Sequence, residues 1–91
     1  MTSTKKGPRR RYFVQHARTG WLVKRQEPGM RGTQNEGTYR TQRDAWEAAC
    51  ILAEASVQAG VFAQVILKGR DGKFRRERTF PRSSDPFPPK G

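Results

Sequence analysis

The sequence predicts a single small α+β domain of order ββαββ, an antiparallel sheet of two hairpins with one helix packed on one face. Three observations predict it. Two short runs rich in aromatic and β-branched residues flank Arg18-Thr19-Gly20, a second pair of runs flanks Asp71-Gly72, and the one long stretch of helix formers, Ala45 to Ala59, lies between the pairs. Only 33% of the 91 residues are hydrophobic, so burial has to come from a few large side chains. Tyr12, Trp21, Trp46, Phe62 and Phe74 are the candidates.

Residues 1–10 are small, polar and basic, with Gly7 and Pro8 interrupting regular structure, and read as a flexible basic arm. The domain proper is expected over 11–80, with a Pro-rich tail over 81–91. From Arg11 to Gln26 the chain reads as a hairpin, with Gly20 able to take the positive φ of a tight turn. Tyr12, Val14, Trp21 and Val23 then face the core. Glu27 to Gly37 has three glycines and a proline and reads as a loop, followed by a short extended piece at Thr38-Tyr39-Arg40.

Thr41 opens the helix, because its hydroxyl can accept from the amide of Asp44, and Asp44 suits the positive end of the helix dipole. Ala45, Ala48, Ala49, Leu52 and Ser56 form one stripe, flanked by Trp46, Ala53 and Val57, while Glu47, Glu54 and Gln58 lie opposite. Small residues on the stripe permit close approach to a sheet. Gly60 is placed to end the helix. Phe62 to Lys68 is apolar on both faces and reads as a central strand. Phe74 to Phe80 has no clean apolar parity and reads as an edge strand guarded by charge, with Arg76 and Arg78 on the parity of Phe74 and Phe80.

The formal charge of +11 is unevenly placed. Met1 to Arg11 carries five basic and no acidic residues, Tyr12 to Phe62 six against five, and Ala63 to Gly91 eight against three. The excess therefore sits in the arm and the second hairpin. That polarisation is the expected footprint of a polyanion, and the acidic outer face of the helix would turn such a partner elsewhere. The candidate nucleic-acid contacts are Arg9, Arg10, Arg11, Lys68, Arg70, Lys73, Arg75, Arg76 and Arg78. Phe13 or Phe74 would serve for base stacking if the second sheet face is open. The same pattern also fits a solvated edge whose charge serves solubility only.

Catalytic chemistry finds little support. His16 is the only histidine, Cys50 the only cysteine, no serine sits in a nucleophile-elbow context, and no phosphate loop or dinucleotide fingerprint is spelled. The expectation is a protein that is not an enzyme, with no catalytic residues, no metal site and no cofactor. Cys50 lies among apolar helix residues and reads as an inert thiol. With no apolar run long enough to span a bilayer and no hydrophobic segment after the basic N-terminus, the expected location is the cytoplasm and no membrane partner is expected.

Five motifs together resemble a known family: Tyr12 to Val14, Gly20 to Lys24, Thr41 to Ala49, Gly69 to Lys73, and the terminal Asp85 to Gly91, which reads DPFPPKG. The chain from Tyr12 to Gly91 resembles the small bacterial and phage proteins grouped as DUF2188, with the terminal heptapeptide as the most specific part. The resemblance implies a compact domain and a prokaryotic setting, and supplies no catalytic residues. The functional expectation is non-catalytic binding of DNA or RNA by phosphate contacts from the second hairpin and the arm. The alternative is a protein-interaction or accessory module that uses the sheet edge or the Pro-rich tail, in which Phe87 either docks a partner or folds back on its own domain.

Overall fold

Tyr12, Val14, Trp21 and Val23 are all buried, as their alternation requires, and they face a single helix. The computed structural model describes residues 9–80. In chain order these form β1 (Arg10–Ala17), β2 (Gly20–Gln26), β3 (Gln34–Tyr39), α1 (Gln42–Gln58), β4 (Ala63–Lys68) and β5 (Phe74–Phe80). The sheet order is β3-β2-β1-β4-β5, with α1 packed across one face.

The expected ββαββ order is corrected to βββαββ, and the sheet is mixed rather than antiparallel throughout, with both expected hairpins present and joined through a parallel pair. β1 runs parallel to β4, while the other neighbours are antiparallel. One cause produces both differences. A third strand before the helix reverses the direction in which α1 sets out, so α1 returns the chain to the end where β1 began and β4 must run alongside β1 in the same sense. Of the short piece expected at Thr38-Tyr39-Arg40, Thr38 and Tyr39 are the end of this longer strand and Arg40 lies just beyond it. β1, not the strand beginning near Phe62, occupies the centre; β4 is internal beside it.

The helix forms as its sequence dictates. Thr41 is the N-cap, its Oγ1 accepting from the Asp44 amide at 3.0 Å, and Gly60 follows the last turn with φ 88°. Ala45, Ala49 and Ala53 are fully buried, which lets the helix backbone come close to Val14, Val23 and Val65 on the sheet. Trp46, Val57 and Phe80 close the margins. Cys50 is half-buried, and burial pushes its thiol pKa up, with Arg78 pulling the other way. Among the described residues no helix is long and apolar enough to cross a membrane.

Phe74 departs from the expectation that it joins the core, being 60% exposed. The cause is a bulge: β4 pairs Leu67 with Arg76 but Lys68 with Phe74, leaving Arg75 as the extra residue. The parity of β5 changes there. Arg76, Arg78 and Phe80 lie on the helix side, and Phe74 falls on the other. The expectations for residues 1–8 of the arm, for Phe87 and for the tail over 81–91 lie outside the described residues.

Candidate nucleic-acid interface

The sheet face away from α1 is built from the residues that the core parity leaves over. Its pairings set Lys24 beside Phe13 and Phe13 beside Ile66, with Gln15 beside Leu22 in the next row. Gln26, Arg11, Gln64 and Thr79 form the row below. Phe13, Leu22 and Ile66 are half-buried, so they make a low apolar ridge rather than a core. The Lys68 ammonium stands 5.3 Å from the Phe13 ring centroid, and Lys68 is also the register partner of the exposed Phe74. Lys68 thus sits over one ring, at a strand position between those of Phe13 and Phe74, on an uncovered surface.

Charge divides between the two sides of the molecule. The open face carries Arg11, Lys24 and Lys68, with Glu77 at its β5 margin accepting from the Gln64 amide. The helix side holds three of its acids in pairs. Glu27 meets Arg10 at 2.8 Å and Arg25 at 3.1 Å, Glu36 meets Arg25 at 3.2 Å, and Glu47 meets Arg43 at 3.2 Å. A bulge in β3 opposite Val23 and Lys24 lets Glu36 reach Arg25 on that side. A polyanion approaching from the helix side meets a mixed surface, where Arg76 and Arg78 stand among paired and unpaired acids, whereas the open face offers three cations with Glu77 at its margin.

The structure distributes the sequence-predicted contacts unequally. Arg70 and Lys73 are exposed at the tip of the β4–β5 turn, whose Gly69 amide donates to Lys73 at 2.9 Å. Arg75 sits at the bulge and pairs with Asp71 at 3.6 Å. Arg76 lies 4.6 Å from the Trp46 ring and Arg78 5.5 Å from the Phe80 ring, so both guanidiniums cover the apolar edge of the core. Arg10 is drawn inward: its Nε donates to Glu27 and its Nη1 donates to the Ser56 hydroxyl at 3.0 Å. Partial burial pulls its pKa down, but the bonds to Glu27 and Tyr12 more than offset this and the net shift is upward, so Arg10 stays charged as a structural ion. Arg11 is exposed and donates to Gln64, and Arg9 lies 5.9 Å from the Phe62 ring.

The arm end and the turn are therefore at opposite ends of the sheet. Arg10 pairs with Ala63 at the start of β4, and the turn follows Lys68, about 17 Å further along at roughly 3.3 Å per residue. Phe13, Ile66, Lys24 and Lys68 fill the interval. At the arm end, where the chain enters β1, a cleft of about 730 Å³ is lined by Arg9, Arg11 and Arg31 but also by Glu27 and Glu77, so its charge is mixed. Sequence reading named Phe13 and Phe74 for stacking but passed over Lys24. The usable signal was its parity, opposite to that of Trp21 and Val23.

A family model described as "Uncharacterized protein conserved in bacteria (DUF2188)" matches residues 12–80. No curated protein matches the chain, and no solved structure does. The match ends at Phe80, so the terminal heptapeptide, the part of the resemblance treated as most specific, contributes nothing to it. It takes in both hairpin turns, the helix and the whole open face above Arg11. On that span the chain belongs to the DUF2188 family of uncharacterised bacterial proteins.

Proposed function

We propose that the protein binds nucleic acid without catalysis, through the open face of the sheet and the β4–β5 turn, with the N-terminal arm extending the contact. The observation that carries this reading is the segregation of charge. The acidic groups on the helix side are mostly held in ion pairs, while Arg11, Lys24, Lys68, Arg70 and Lys73 present a continuous basic track beside apolar and aromatic side chains. Phosphate contact asks only for charge and reach, and a track of this length supplies both. Arg76 and Arg78 support the track by covering the core edge rather than by contacting phosphate.

Counterion release gives the test its magnitude. About five phosphate contacts predict that log K against log salt falls with a slope near −3.5 on a single strand and near −4.5 on a duplex, at roughly 0.7 and 0.9 per contact. The measurement is a salt titration of affinity for labelled oligonucleotides of both kinds. Failure to bind either at low salt, or a slope near zero, overturns the reading and leaves the charge serving solubility.

A further inference from the structure

We infer that the preferred ligand is single-stranded, with unpaired bases stacking on Phe13 and Phe74 while Lys68 between them takes the phosphate. This rests on the nucleic-acid reading above and names its ligand class. Two observations on the open face carry it. Phe74 is 60% exposed in a chain short of apolar residues, and the β4–β5 bulge is what places it there rather than in the core. Phe13 lies on the same face, two strands away, and the Lys68 ammonium is 5.3 Å from its ring. From strand spacing and rise the two aromatic positions are about 12 Å apart, with a cation between them.

Dimensions decide between the ligand classes. Five strands put the outer ones about 19 Å apart, against a major groove about 12 Å wide, so this face does not enter a duplex groove. The narrower β4–β5 ribbon is flanked by β1 and carries α1 on its other side, so only the tip from Arg70 to Lys73 reaches outward. A duplex would therefore meet the tip and rim charges and leave both aromatics unused. A single strand lies flat on the sheet, turns its bases to the rings, and leaves its phosphates to Arg11, Lys24 and Lys68.

The experiment compares the full chain with Phe74→Ala, Phe13→Leu and Phe74→Trp, reading anisotropy of labelled oligothymidine and of a duplex of equal length at one low salt concentration. Phe74 is exposed, so its removal leaves the fold intact, and circular dichroism of each variant checks this. The expected result is a single-strand affinity reduced roughly five- to hundredfold by Phe74→Ala and by Phe13→Leu, retained by Phe74→Trp, with duplex affinity changed less than about twofold. Tighter binding of duplex than of single strand, or single-strand affinity indifferent to both Phe74→Ala and Phe13→Leu, overturns the inference while the nucleic-acid reading survives. Binding of neither oligonucleotide overturns both. A dimer at low salt that Phe74→Ala converts to monomer would assign the face to a second copy of the chain and overturn the inference as well.

Discussion

Gly20 shows how tightly a single residue can be specified in so small a molecule. It follows the two-residue turn Arg18-Thr19, adopts φ 151°, and a β-carbon built there would collide with the Tyr39 carbonyl oxygen of β3. Two demands meet at one position. The backbone conformation suits glycine alone, and the neighbouring strand occupies the space a side chain needs. Gly20→Ala is expected to cost about 1–3 kcal/mol of stability by the strain alone, with the contact adding to it. Denaturant unfolding of the two proteins measures it, and a change under about 0.5 kcal/mol would mean that β3 moves aside freely. Phe74 and Phe80 make the complementary point. They share residue type and sequence parity, yet one is 60% exposed and the other 4%, because a bulge lies between them.

Between elements, the join of β1 to α1 depends on one hydroxyl. Ser56 is 2% exposed; it donates to the Leu52 carbonyl and accepts from Arg10 Nη1, and its third contact at 3.0 Å is to the Tyr12 hydroxyl, which then acts as donor. All of its capacity is used. Ser56→Ala leaves the buried Tyr12 O–H without an acceptor while Arg10 still bonds to the Tyr12 oxygen, at an expected cost of about 1–3 kcal/mol. Tyr12→Phe removes that orphaned group, so the double variant is expected to lose less than the sum of the two single losses. A double-mutant cycle by denaturant unfolding checks it, and strict additivity would mean that Tyr12 and Ser56 are not coupled. The strands and helix that alternation, caps and Gly turns announce, β1, β2, α1, β4 and β5, were legible in the sequence. β3 was only half legible, since Gln-Asn-Glu-Gly-Thr-Tyr has weak strand propensity and is held by pairing to β2. The sheet's mixed character and the exposure of Phe74 follow from β3 and from a bulge, and backbone pairing of that kind leaves no periodic trace in the side chains. The charge of the site was legible; its division between core cover and open face was not.

For the molecule as a whole, what matters is where the charge of +11 is placed. A protein this basic attracts polyanions weakly in any orientation, so loss of affinity on removing cations does not by itself locate a site. Equal removals on the two sides do. Lys24→Ser with Lys68→Ser takes two charges from the open face, and Arg40→Ser with Arg43→Ser takes two from the end and outer side of the helix region, where both are exposed. The net charge falls to the same value in each, so long-range attraction falls about equally. If the open face is the interface, the first pair is expected to flatten the single-strand salt slope by about 1.4, at roughly 0.7 per contact, and the second pair to leave it within error. Arg43→Ser also gives up an exposed ion pair with Glu47, which is worth at most about 1 kcal/mol, so the comparison is not confounded by unfolding. Equal slopes for the two double variants would show that binding follows net charge alone, and the open face would then have no special claim on nucleic acid.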